Sequence, residues 1–169
     1  LVRGPVVDVS RHPDAPADKA ELEQSPRPNG LVAADLFCGC GGISLGLEAL
    51  GVSALVGVDH DQHALQTWGN LFPGLPLHAD LHDPDTIDDL VETLSGLEID
   101  ILTGGPPCQP FSRAGRSGMR DLVRRGLRDA HDRRRDLWQS FVEVAVRVRP
   151  RAVIMENVPE LALADDMLL

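Results

Sequence analysis

The stretch LVAADLFCGCGGISLGLEALG, residues 31–51, decides the fold class. Its first seven residues form a short apolar run without polar alternation, the pattern of a strand buried on both faces. Glycines end that run. GISLGLEALG (42–51) then resumes with Ile43, Leu45, Leu47 and Leu50 spaced for one side of a helix and Gly51 as its stop. The same unit recurs downstream. SALVGVD (53–59) predicts a second buried strand, and HDQHALQTWGNLFP (60–73) a helix that turns Leu65, Trp68 and Leu71 inward and stops at Pro73. LPLHAD (75–80) is a weaker third strand. DPDTIDDLVETL (83–94) has Asp83 for an N-cap and Pro84 at the first helical position. IDILTGG (99–105) is a fourth strand. DLWQSFVEVAVRVRP (136–150) carries Leu137, Phe141, Val144 and Val148 at helical spacing, and RAVIMENV (151–158) is a fifth strand. Apolar strands alternating with amphipathic helices predict an α/β domain, a mostly parallel sheet with helices on both faces. Ligand sites in such sheets gather at the carboxyl ends of the strands.

Composition bounds the class of protein. The 169 residues suffice for one domain with a sizeable core. A hydrophobic fraction of 43% and a charged fraction of 25% are ordinary for a soluble globular chain. Three cysteines oppose a disulfide framework and fit a reducing, cytoplasmic setting. No apolar run reaches membrane-spanning length, and no secretory signal pattern opens the chain, so no membrane partner is expected. Residues 1–30 are polar and proline-rich and read as a flexible leader, leaving 31–169 as the domain. The first residue is Leu1 rather than Met, which suggests a piece of a larger product.

The net charge of −10 conceals an asymmetry. Residues 1–100 hold 17 acidic and 4 basic side chains, whereas residues 113–136 hold nine arginines against four aspartates. That segment reads either as a phosphate-binding footprint or as a solvated helix face laced with Asp–Arg pairs.

The unusual residues sit at strand ends. DLFCGCGGIS places Gly39, Gly41 and Gly42 between strand and helix, where a bare backbone can approach a ligand and aim amides at an anion. The spacing is neither the dinucleotide fingerprint nor a P-loop. Asp59 ends the second strand, where a carboxylate can accept ribose hydroxyls, and Asp80 ends the third. Together they form the set that would hold a nucleoside-bearing cofactor. Cys38 and Cys40 beside His60 and His63 do not match usual zinc spacing, so no metal is expected. The fourth strand runs into GGPPCQPFSRAG (104–115), in which three prolines stiffen the backbone around Cys108.

These blocks, DLFCGCGGISLGLEALG, VGVDHD, HADLHD, GGPPCQPFSRAG and ENVPEL, resemble in order the motifs of the cytosine-5 DNA methyltransferase family, over roughly residues 31–161. The resemblance, to the bacterial type, implies a Rossmann-like fold that uses S-adenosylmethionine. It implies methyl transfer to carbon 5 of a cytosine flipped out of double-stranded DNA. By the same resemblance Cys108 is the nucleophile and Glu156 the acid at ring nitrogen 3. Phe37 is expected to stack on the adenine, Asp59 to bind the ribose and Asp80 the adenine amino group. Gly39, Gly41, Gly42, His60, Leu81, Gly104, Pro106 and Leu137 are expected to complete the cofactor site. Gln109, Ser112 and Arg113 are expected on the substrate side, with Asn157 bracing the catalytic loop.

Two departures qualify the resemblance. The 48 positions from Cys108 to Glu156 are more arginine-rich than such a loop normally is, implying a mobile cationic lid. The family's later blocks, including the target-recognition region, are absent from residues 1–169, so the chain is expected to need a C-terminal half from elsewhere. Two rivals stay open: a transfer-RNA cytosine-5 methyltransferase, and a non-catalytic fragment that only binds cofactor or DNA.

Overall fold

The computed structural model describes residues 30–107 and 137–162. Five strands form one parallel sheet: β1 (Val32–Leu36), β2 (Ser53–Asp59), β3 (Leu75–His78), β4 (Ile101–Gly104) and β5 (Ala152–Met155). Their spatial order is β3-β2-β1-β4-β5. All five residues of β1 are buried, as a central strand covered on both sides requires. Pro76, which has no amide to donate, is confined to the edge strand β3.

Among the described residues, five helices connect and cover the strands: α1 (Gly42–Ala49), α2 (Gln62–Leu71), α3 (Pro84–Ser95), α4 (Leu137–Val148) and the short α5 (Pro159–Ala162). The pleat of β1 sorts the two faces. Val32, Ala34 and Leu36 share a core with Ile87, Leu90 and Leu94 of α3 and with Phe141 and Val144 of α4. Ala33 instead packs with Leu47 of α1. On that side Trp68 of α2 stacks against Phe72 with ring centroids 5.0 Å apart. Asp83 caps α3 as the sequence implies, accepting from the Asp85 amide at 3.2 Å ahead of Pro84. Arg147 of α4 reaches Asp88 of α3 at 2.7 Å.

Three helical assignments need correcting. Leu45 and Leu50 of the first helix segment are exposed, the latter at 74%, and Leu71 at the end of α2 is exposed as well. The inward positions of α1 are Ser44 and Leu47. The reason is chemical: the sheet beneath α1 presents the buried carboxylate of Asp35, which takes the Ser44 hydroxyl at 2.6 Å. A leucine there would remove one of the hydroxyl donors to that buried carboxyl. Of the α2 residues, Leu65 and Trp68 do turn inward, while Phe72, just past the helix, fills the place expected for Leu71.

The strand order reverses between β1 and β4, because β2 and β3 extend to one side of β1 and β4 and β5 to the other. That switch point opens a crevice at the carboxyl ends of the strands. The leader expected over 1–30 lies outside the described residues apart from Gly30, as does the arginine-rich segment 113–136.

Candidate active site and cofactor cleft

A cavity of about 260 Å³ lies at the carboxyl ends of β1, β2 and β3. Phe37, Asp59, His60, Asp80, Leu81 and Leu137 line it, together with Val58, Ala79, His82 and Pro107. Its walls are mostly hydrocarbon, with two carboxylates and two imidazoles as the polar groups.

The turn after β1 is held open by backbone geometry. Phe37 has φ 56°, a left-handed conformation that costs a non-glycine residue about 1–2 kcal/mol. The surroundings enforce it: the Cys38 amide donates to the Val58 carbonyl at 3.0 Å, and the Gly39 amide donates to Asp59 Oδ2 at 2.8 Å. Strain of this kind, kept by a surrounding structure that over-determines it, is characteristic of ligand sites. Gly41 has φ 97°, and a Cβ built there would stand 2.3 Å from Phe72 Cε2 and 2.9 Å from Trp68 Cδ1. It is a glycine for two independent reasons. Gly42 opens α1, and a Cβ built there meets nothing within 4 Å.

Asp59 is a brace as well as a cavity wall. Its Oδ2 takes the Gly39 amide and its Oδ1 takes the Asp61 amide at 2.8 Å. His60 Nδ1 lies 3.2 Å from the same Oδ1. The carboxylate thus ties the turn after β1 to the loop after β2, and each oxygen keeps lone-pair capacity for a further donor.

Asp80 is held by its own loop. Its Oδ1 accepts from the His82 amide at 3.0 Å and from His82 Nδ1 at 2.9 Å. Burial pushes the Asp80 carboxyl upward, but these two donors and the positive potential of the neighbouring imidazoles outweigh it, and the group titrates below the usual carboxylate range. Asp61 caps α2 through the His63 and Ala64 amides, at 2.9 and 3.2 Å.

The glycine–proline loop leaves the sheet from β4. A Cβ on Gly104 would stand 2.5 Å from the Leu36 carbonyl oxygen and 2.8 Å from Phe141 Cε2, so this glycine lets strands and helix close up. The Glu156 amide donates to the Gly104 carbonyl at 2.9 Å, and Asn157 Nδ2 donates to the Pro106 carbonyl at 2.9 Å. Glu156 Oε2 lies 3.5 Å from where a Gly105 Cβ would be. The segment after β5 is therefore stitched to the segment after β4, two residues short of Cys108.

Of the residues singled out from the sequence, the fold gathers Phe37, Asp59, His60, Asp80, Leu81 and Leu137 around one cavity. Gly39, Gly41, Gly42, Gly104 and Pro106 shape the surrounding backbone without lining it. Glu156 and Asn157 stand beside the proline loop. Cys108, Gln109, Ser112 and Arg113 lie outside the described residues. Among the described residues, no three potential ligands of a metal ion converge. Cys38 is buried, and the low-polarity surroundings, aided by Asp35 and Asp59, drive its thiol far above the ordinary range, which leaves it chemically inert.

Sequence reasoning missed His82 and Pro107 in the cavity and the buried group Asp35–Ser44–Thr103–Trp68 on the α1 side of the sheet. Asp35 takes Ser44 Oγ at 2.6 Å and Thr103 Oγ1 at 2.9 Å, and Trp68 Nε1 donates to Ser44 Oγ at 2.9 Å. An aspartate inside an otherwise apolar strand was the only available signal.

The C-5 cytosine-specific DNA methylase family model matches residues 31–167. The chain belongs to that family. Type II methyltransferase M.HgiGI of Herpetosiphon aurantiacus is 37% identical over 131 residues, covering 77% of this chain and 92% of the relative. M.HindV of Haemophilus influenzae is 34% identical over 127 residues, 75% of this chain and 37% of the relative. A solved E. coli prophage-encoded protein, described as a DNA modification methyltransferase, superposes with a TM-score of 0.59 at 28% identity, over 82% of this chain and 34% of that one. The five-stranded architecture is thus a Rossmann-like methyltransferase fold. The chain spans only 37% of M.HindV and 33% of M1.HphI of Haemophilus parahaemolyticus. No helix among the described residues is long and apolar enough to cross a membrane.

Proposed function

We propose that this chain supplies the cofactor cleft and catalytic residues of an enzyme that methylates carbon 5 of cytosine in DNA, with S-adenosylmethionine as methyl donor. The observation that carries this reading is the stitching of Glu156 and Asn157 to the backbone of Gly104 and Pro106 beside the cavity wall. It joins an acid to the segment that leads into a cysteine, beside a nucleoside-sized cleft at the carboxyl ends of the strands.

The residues present fit an adenosyl group. Phe37 and Leu81 offer apolar surface to a base, Asp59 can accept from ribose hydroxyls, and Asp80 Oδ2 can accept from an exocyclic amine. Gly39, Gly41 and Gly42 leave the backbone bare at the entrance to α1, Leu137 lines the cleft, and Gly104 and Pro106 shape the backbone leading to Pro107 in its wall. When bound, S-adenosylmethionine supplies an electrophilic methyl group. The chain supplies the rest. The thiolate of Cys108 adds to carbon 6 of the cytosine, while Glu156 delivers a proton at ring nitrogen 3. Electron density then gathers on carbon 5, which is otherwise a poor nucleophile. After methylation, loss of the carbon 5 proton, departure of the Cys108 thiolate and return of the nitrogen 3 proton to Glu156 restore the ring. The proline loop holds sulfur in line with one ring carbon, where small displacements cost heavily in rate. Gln109, Ser112 and Arg113 follow Cys108 as contacts to the target strand.

A further region, from the same polypeptide or a second subunit, completes the enzyme. Two observations support this. Val153 and Ile154 of the edge strand β5 are 50% and 48% exposed, unlike the buried central strands. The relatives M.HindV and M1.HphI extend well beyond the matched part.

The test is DNA carrying 5-fluorocytosine, incubated with S-adenosylmethionine and the complete protein. A denaturation-stable protein–DNA adduct should form, and Cys108→Ala should abolish it. An adduct that persists in Cys108→Ala, or none with the native cysteine, rules the mechanism out.

A further inference from the structure

His82 lies within the HADLHD block but was given no role from the sequence, yet it lines the cleft and contacts Asp80 twice. An ionised carboxylate only accepts, so the Nδ1 that faces Asp80 Oδ1 carries a proton. That Nε2 is buried, with no hydrogen-bond partner among the described residues. Burying an unpaired polar nitrogen is unfavourable, and a phenyl ring of similar size would avoid it. Packing therefore does not account for histidine at this position, whereas the Nδ1 contact does.

We propose that His82 is the positioning residue of the cleft, orienting the Asp80 carboxylate toward the exocyclic amine of the bound nucleoside. The Asp80 side chain is otherwise largely exposed, held among the described residues only by the His82 amide and imidazole. Two donors from one residue occupy Oδ1, which fixes the carboxylate plane and leaves Oδ2 as its open acceptor. The orientation is set before binding, so less rotational freedom is lost when the ligand arrives. The proposal rests on the S-adenosylmethionine reading and goes beyond it by assigning a residue to the selection of an amino-bearing base.

Calorimetric titration of the complete protein with S-adenosylhomocysteine, paired with thermal melts, tests it. His82→Phe should weaken binding about tenfold, the scale of losing one charge-assisted hydrogen bond, while the melting temperature stays level or rises. His82→Asn, whose amide can donate to the same Oδ1, should recover most of the affinity. In an Asp80→Asn background, His82→Phe should have no further effect. Unchanged affinity in His82→Phe overturns the proposal, as does an equal loss in the Asp80→Asn background, or an affinity loss matched by a lowered melting temperature. If the native protein itself fails to bind S-adenosylhomocysteine, the cofactor reading falls, and this outcome differs from all the others.

Discussion

Three glycines within four residues of the turn after β1 should respond differently to the same added methyl group. Gly39 has φ 53° and open space where a Cβ would go, so Gly39→Ala incurs only left-handed strain, about 1–2 kcal/mol. Gly41 has φ 97° and its Cβ would meet Phe72 Cε2 at 2.3 Å and Trp68 Cδ1 at 2.9 Å, against two rings that are buried and stacked on each other. Overpacking adds about 1–3 kcal/mol to the strain, so Gly41→Ala should cost about 2–5 kcal/mol. Gly42 begins α1 without a positive φ and with nothing within 4 Å, so Gly42→Ala should be neutral or stabilise by up to about 1 kcal/mol. For a chain of this size each kcal/mol moves the melting temperature by about 2–4 °C, placing Gly41→Ala roughly 4–20 °C below the native protein. Urea titrations followed by tryptophan fluorescence report the same order, since Trp68 is one of the affected rings. Equal losses for Gly39→Ala and Gly41→Ala, or destabilisation by Gly42→Ala beyond about 1 kcal/mol, would refute the geometric reasoning.

Asp61 and Asp35 should tilt the pH dependence of stability in opposite directions. The α2 amides hold the Asp61 carboxyl below its ordinary 3.8, so its contribution is present above that pH and lost as pH falls through the lowered value. Asp61→Asn should flatten the acid limb of a pH–stability curve, and an unaltered limb would contradict the cap assignment. Burial raises the Asp35 carboxyl despite its donors Ser44 and Thr103, so stability should fall as pH climbs from 3.8 through the raised value. Asp35→Asn should remove that decline, and a decline that survives the substitution would place the titrating group elsewhere. Val153→Asp with Ile154→Asp should leave the melt of residues 1–169 within about 1 kcal/mol of native, because both side chains are half exposed, yet should abolish activity of the assembled enzyme. Activity that survives both changes would separate β5 from any interface. Residues 1–169 alone should bind S-adenosylhomocysteine weakly in calorimetry and show no turnover in a tritiated-methyl assay, and robust methylation would overturn the need for a further region.

Much of the fold was legible because backbone chemistry and apolar periodicity are local. Short unbroken runs rich in valine, such as SALVGVD, fit strands covered on both sides, and Asp83–Pro84 announces its helix start through a hydrogen bond within three residues. Asp59 and Asp80 were legible as strand-end acids for the same reason. Which leucines face inward was less legible. Leu45 and Leu50 satisfy the helical period as well as Leu47 does, and only the position of Asp35 under α1 reveals why Ser44 takes the inner place.

By itself the sequence determined the parallel α/β class, the strand ends that carry the chemistry and the family to which the chain belongs. Tertiary structure alone decided which residues meet. Thr103 reaches Asp35 across 68 positions, and Asn157 reaches Pro106 across 51. His82 became a cleft residue because the loop after β3 folds its imidazole back onto Asp80. Periodicity records which side of an element is apolar, but not what the opposing element will present. Polar pairing inside a core depends on that second quantity, which exists only once the strands have been ordered β3-β2-β1-β4-β5.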